Sequence, residues 1–460
     1  IYDEAHERGQ GYQTLREATR TIGHRMTGTE NGRRAEEYAH DLLRDYGYRR
    51  VKYQTFSAEA WLRGGLKLEI VPTSSDNYAT YKAVALAHSP EQADVQAPLI
   101  DLGNGLARDY ERLGADAVRG MVVVANLGLV REGPADTLAK NLHRSEKTAL
   151  ARQHGAVGVI FINQVAGDVL LTGTASVDGS LLPLPAMSIS QKSGLNLRKW
   201  MTEETLEAHI QMKNEGKTVE GRNVVARLKG AELPKERIVV GGHLDSWDLA
   251  TGAIDNGIGS FTVLEIARIF KALDLKPRRT VEFVAFMGEE IGLFGSQHMV
   301  ERLKRRGDLG GVRYVVNLDM AGNPRGYNAF GRPEAAALFE DFGEQIRAVD
   351  ADYANQNVSR PGLHSDHQPF MLEGIPVTTP NSNLDPKVYD CYHADCDRFA
   401  LVDSLHMLNG TARTAMLIYL LADAETLPTA RMSSDETRDF LVDNGLKESL
   451  QLGGDWRWGE

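Results

Sequence analysis

Apolar positions recur at helical spacing in two stretches near the start of the chain. The first covers 12–22. The second covers 31–46, with Ala35, Tyr38, Ala39, Leu42 and Leu43 on one face and a stop at Gly47. A stretch punctuated by Gly and Thr, 23–29, separates them, and apolar runs at 51–56 and 66–71 read as strands. The pattern changes near Ala97. From there to about Met212 it is rich in short apolar β segments (121–125, 157–162, 186–189), with a helix carrying Lys147, Ala151 and Gly155 between the first two. This predicts an inserted β-rich module with its own small core.

From Arg237 onward, strand and helix alternate. Strands are predicted at 238–242, 280–287, 312–318 and 375–379. Helices are predicted at 257–273, 293–305, 333–349, 366–373 and from 403 to about 424. Such alternation marks an α/β fold with a mostly parallel sheet sandwiched by helices. The predicted division is 1–96 and 213–460 for this α/β domain and 97–212 for the insert.

Composition adds little to that picture but narrows the partners. The 460 residues are 42% hydrophobic and 25% charged, an ordinary globular balance too long for a single core. Lys plus Arg number 52 against 63 Asp plus Glu, so the net charge of -11 disfavours nucleic acid or an anionic membrane as partner. No apolar run reaches the ~18 residues of a membrane helix. The chain opens on Ile1 without a signal-like segment, which is read as a leader removed or a trimmed start. The two cysteines, Cys391 and Cys396, are no disulfide scaffold and lack CxxC spacing. A small closed loop around His393 and a pair of free thiols both remain open.

Ligands of parallel α/β sheets bind outside the carboxyl ends of the strands. The strand at 238–242 runs into His243-Leu-Asp245-Ser-Trp-Asp, the one at 280–287 into Gly288-Glu289-Glu290, and the one at 312–318 into Asp319. Asp255 lies in the Gly252–Gly257 loop that opens a helix, and His393 in Tyr392-His-Ala-Asp-Cys-Asp397. Singly, each has an ordinary explanation. A histidine after a strand is commonly structural, paired glutamates suit a helix start, and Asp255 suits an N-cap. Together, four carboxylates and two imidazoles at one sheet edge repel strongly unless cations are bound or several protons are retained.

Two divalent metals meet that requirement, and mixed His/carboxylate ligation with room for water is what catalytic zinc adopts. The predicted ligands are His243, Asp255, Glu290, Asp319 and His393. The short Asp255 carboxylate suits a bridge between ions ~3.5–4 Å apart. Glu289 is then free to act as general base toward a metal-activated water, and Asp245 is placed to accept the second imidazole N–H of His243. A loop cap is the alternative use of Asp245. No GxSxG elbow, P-loop or HExxH motif is present.

These strings, with Asn317-Leu-Asp319 and His393-x-x-x-Asp397, resemble the co-catalytic zinc aminopeptidase and carboxypeptidase family, and in particular its carboxypeptidase Q-like branch. The likeness extends to Tyr12-Gln-Thr-Leu-Arg and Arg25-Met-Thr-Gly28 and covers nearly the whole chain. It implies the same five ligands and the same base. The insert resembles a protease-associated domain through Gly120-Met-Val-Val-Val-Ala, Lys147-x-x-x-Ala151-x-x-x-Gly155-Ala-x-Gly158 and Leu184-Pro-Ala-Met-Ser-Ile. The resemblance further implies two zinc ions per chain, dipeptide or short-peptide substrates, a homodimer, and secretion or a periplasmic location. The chain departs from the family after His393, where Ala-Asp-Cys-Asp-Arg replaces a small residue followed by Asp-Thr. Ser365-Asp366-His367-Gln-Pro-Phe370 resembles a pocket-lining motif, and a capped helix start explains it equally well.

The leading reading is therefore a metallo-exopeptidase. Two others compete with it. A glutaminyl cyclase-like acyltransferase would hold one zinc on the same fold, and a non-catalytic receptor-like homologue would have lost ligands that are all kept here.

Overall fold

The computed structural model describes residues 1–74, 77–114, 116–131 and 139–459. They form two compact units. The first comprises Ile1–Ala58, Val219–Tyr389 and Asp397–Glu460; the second comprises Glu59–Thr218 and Asp390–Cys396. The second unit thus takes in a short segment from late in the chain besides its continuous stretch.

In the first unit the strands Val377–Thr378, Val312–Asn317, Leu233–His243 and Arg279–Phe286 lie in that order and are parallel throughout. An antiparallel pairing to 224–228 follows on the far side of Arg279–Phe286. The register sets Phe286 beside His243 and Asn317 beside Gly241, so three strands end level with one another. Strand alternation feeds two apolar faces. Val239, Val284, Phe286 and Val315 pack with Met299, Val300 and Leu303 of helix Phe294–Arg305. On the opposite face Phe283 meets Phe270 edge-on at 5.7 Å.

Phe270 belongs to helix Ile258–Ala272, in which every residue from Ile258 to Phe270 is buried. That explains why the helix is apolar around most of its circumference. Its two buried charges are paired: Arg268 donates to Glu265 at 2.9 Å and to Glu4 at 2.7 Å. The segments predicted as strands at 51–56 and 66–71 are one strand, Lys52–Pro72. Gly64 does not break it. A Cβ there would lie 2.0 Å from the carbonyl oxygen of Lys213, so glycine serves the close approach of two backbones.

In the second unit the strands Gln92–Asp101, Val122–Asn126, Gly158–Ile162 and Ala186–Ile189 run parallel in order. Leu86, Tyr110, Val123 and Phe161 are among the residues of its core. Helix Arg144–Gln153 supplies Lys147, whose buried ammonium donates to the carbonyls of Asn126 at 2.7 Å and Leu127 at 3.1 Å. Burial pulls this ammonium down to about 8, with Asp109 opposing. The folded chain then binds fewer protons than the unfolded one from about 8 up to the ordinary lysine range, so stability rises with pH across that window. Lys147→Met should abolish this rise. Its stability deficit against the parent chain is expected to widen between about pH 8 and pH 10, read by denaturant unfolding. A deficit independent of pH would contradict the assignment.

No described helix is long and apolar enough to cross a membrane.

Candidate metal centre

The level strand ends bring five of the predicted residues together in the first unit. His243, the last residue of its strand, is buried, with Nε2 3.3 Å from Asp255 Oδ1 and 3.6 Å from Asp319 Oδ1. Donor atoms of His243, Asp255 and Glu290 lie within 4.8 Å of one another, as do those of His243, Glu289 and Asp319. Burial alone would push the His243 imidazole down. Glu289, with Asp245, Asp255 and Asp319, outweighs it and holds the ring well above its ordinary value. Glu289 is likewise raised well above the usual carboxylate range, by burial and by Glu290, Asp319 and Asp366, against His243. A set of imidazole nitrogen and carboxylate oxygens that hold protons this tightly suits a divalent cation in their place.

Each donor is carried by a defined local device. Asp255 sits in a turn opened by Gly252 at φ 57°, where a Cβ would fall 2.2 Å from that of Ser246. The Asp397 carboxylate accepts the backbone N–H groups of Ile254 at 2.8 Å and Asp255 at 3.0 Å. Burial raises Asp397 to about 6 in spite of these two bonds. Asp319 accepts the Ser365 hydroxyl at 2.7 Å, and Ser365 in turn accepts Asn317 Nδ2 at 2.7 Å. Ser365 therefore serves this carboxylate. The short helix that follows, Gln368–Leu372, has no side-chain cap.

Asp245 acts through two different groups. Its backbone carbonyl lies 3.1 Å from His243 Nδ1, whereas its carboxylate is 3.7 Å away. The ring N–H is thus taken by the main chain, which leaves Nε2 facing Asp255 and Asp319. The carboxylate instead accepts the amides of Glu289 at 3.3 Å and Glu290 at 3.4 Å, and the hydroxyl of Thr27 at 3.1 Å.

Behind these loops lies a charge that pattern reading missed. Arg25 is completely buried and donates to three carbonyls, Leu244 at 2.6 Å, Thr251 at 2.7 Å and Gly252 at 2.8 Å. Burial lowers its pKa to about 10, and Asp397, Asp245, Asp255 and Glu290 oppose that. The polar run Arg25-Met-Thr-Gly28 between two amphipathic helices was the signal that could have found it.

His393 belongs to the second unit. There its carbonyl accepts the Thr172 amide at 2.8 Å, and Arg144 Nη2 is 3.2 Å from its Nδ1. Cys391 and Cys396 form a disulfide around it, which resolves the choice that sequence left open.

Known proteins resemble this chain in sequence and in fold. Residues 223–416 match peptidase family M28, and residues 95–197 match the PA domain. The chain carries an M28 peptidase domain. This M28 peptidase is 25% identical to carboxypeptidase Q of Xenopus laevis over 91% of its own length and 87% of that protein. It is 28% identical to aminopeptidase YwaD of Bacillus subtilis over 68% of its length and 61% of that protein. In fold it is similar to a peptidase M28 precursor from Shewanella amazonensis, with TM-score 0.79 and 22% identity across 92% and 96% of the two chains. It is also similar to BSAP, a zinc aminopeptidase from Bacillus subtilis, with TM-score 0.69 and 21% identity across 93% and 98%. This M28 peptidase is thus an enzyme, a hydrolase of peptide bonds, and its insert is a PA domain.

Proposed function

We propose that this M28 peptidase is a two-zinc exopeptidase acting on dipeptides or short peptides, with His243, Asp255, Glu290, Asp319 and His393 as ligands and Glu289 as base. The observation that carries the reading is the largely buried set of one imidazole and four carboxylates at three level strand ends and the adjoining Asp255 turn. The zinc of the Bacillus subtilis neighbour and the carboxypeptidase and aminopeptidase names of the relatives support it. When bound, the ions would polarise the scissile carbonyl and make a water acidic enough to attack at neutral pH. Glu289 takes the proton of the attacking water and returns it to the departing amine nitrogen, so it must not itself be tied to a ligand role. Asp255 is read as the shared ligand, because its turn is gripped by Asp397 and its carboxylate faces His243. The main-chain bond to His243 Nδ1 keeps the Nε2 lone pair available.

A panel of dipeptides with free, acylated and amidated ends, run alongside metal analysis, tests the proposal. Free amino acids released from unblocked dipeptides, with two zinc ions per chain, are the expected result. One ion per chain with cyclised products would favour the glutaminyl cyclase-like reading instead. The blocked members decide which terminus is recognised. Export to an oxidising compartment is part of the same proposal and is supported by the Cys391–Cys396 disulfide. A homodimer remains the expectation from family likeness.

A further inference from the structure

The turn that carries Glu289 is gripped through its backbone. Three successive amides point to one polar group of two residues. Gly288 N–H donates to Thr27 Oγ1 at 2.9 Å, while Glu289 and Glu290 N–H donate to the Asp245 carboxylate at 3.3 and 3.4 Å. Thr27 Oγ1 also donates to Asp245 Oδ2 at 3.1 Å. Since a carboxylate only accepts, the hydroxyl proton belongs to Asp245 and the hydroxyl lone pair to Gly288. Thr27 is fully buried, so no water replaces it. Gly288 has φ 78°, and it passes the chain from the strand into the Glu289–Glu290 turn.

We propose that Thr27 is a positioning residue for Glu289, acting through the Gly288 amide and the Asp245 carboxylate. The inference rests on the reading of Glu289 as base. Thr27 shares its segment with Arg25, whose three carbonyl bonds tie down the loop after His243 and the turn before Asp255. The segment between the first two long helices therefore braces the imidazole, the proposed shared ligand and the base together. A general base needs its oxygen within hydrogen-bond reach of the attacking water, and outer residues of this kind commonly matter by 10–100-fold. Valine has the shape of threonine but neither donates nor accepts. Serine does both.

The test compares Thr27→Val, Thr27→Ser and Thr27→Ala in the full chain loaded with zinc. Thr27→Val should lower kcat by about 10–100-fold with KM within about threefold and zinc content unchanged. Thr27→Ser should recover kcat to within about threefold of the parent. A Thr27→Val chain with parental kcat would overturn the inference. So would a Thr27→Ser chain as slow as Thr27→Val, because the methyl group and not the hydroxyl would then be what matters. If Thr27→Val does not fold, the ratio of Thr27→Ser to Thr27→Ala decides in the same way, with equal kcat values rejecting the proposal. Glu289→Gln separates the two levels. Parental turnover in that variant sinks the base reading itself, whereas a dead Glu289→Gln beside a fully active Thr27→Val sinks only the role of Thr27.

Discussion

Glu289→Gln is expected to lower kcat by between about 10²- and 10⁴-fold while leaving the zinc content of the chain as it was. The amide keeps the size and hydrogen-bonding reach of the carboxylate but cannot take a proton from water. Metal content is the informative half of this experiment. Donor atoms of Glu289 lie within 4.8 Å of those of His243 and Asp319, and donor atoms of Glu290 lie within 4.8 Å of those of His243 and Asp255. Distance alone therefore does not separate ligand from base. A Glu289→Gln chain that loses one ion would reverse the assignment of the two glutamates, and Glu290→Gln should then keep both ions and lose turnover.

The second large effect should come from removing the metal. A chelated chain is expected to lose activity completely, to regain it with zinc, and to become less stable as pH rises. The sign follows from the direction of the shifts. His243 is raised well above its ordinary 6.5 and Glu289 well above 4.5, while Asp397 rises from 3.8 to about 6 and Asp366 to about 7. In each case burial or crowded carboxylates make the folded, metal-free chain bind protons more tightly than the unfolded chain. Stability from these groups is complete at low pH and is lost as pH climbs through the raised values. Thermal unfolding of the metal-free chain should thus shift to lower temperature between about pH 5 and pH 8, by about 5 °C or more, and zinc should remove most of that slope. A metal-free Tm that is flat or rises across this range would refute the crowding argument.

Much of the fold was legible because strand and helix have different hydrophobic periods. The strands that lead into His243, Glu289 and Asp319 announced themselves as apolar runs followed closely by acid or imidazole. A parallel sheet makes that pattern spatial, since its strands share one carboxyl edge. Helix Ile258–Ala272 was readable from its apolar length. The two predicted strands at 51–56 and 66–71 were not readable as one, because Gly64-Gly65 looks like punctuation when its partner backbone is unknown. The segment Asp390–Cys396 was unreadable for a similar reason. It packs with residues more than two hundred positions earlier, among them Thr172 and Arg144, and nothing local signals that.

The roles of supporting residues were the least accessible. Asp245 stood at the right distance in sequence to orient His243, yet its carbonyl does so and its carboxylate holds the next strand end. Ser365 was equally plausible as a helix cap and serves Asp319. Asp397 was visible only as part of a motif, and its grip on the Asp255 turn spans 142 positions of chain.

What sequence by itself determined is the chemistry: which side chains follow the strands, that their charges repel unless cations or retained protons offset them, and the family to which their order points. Those properties are local, set by residue type and by the two-residue and 3.6-residue periods. Tertiary structure alone decided which groups hold the site in place. Arg25, Thr27 and Asp397 reach their partners across 142 to 261 positions of chain. Long-range hydrogen bonds of that kind leave no periodic trace, because they depend on where folded segments meet and not on how any one segment is patterned.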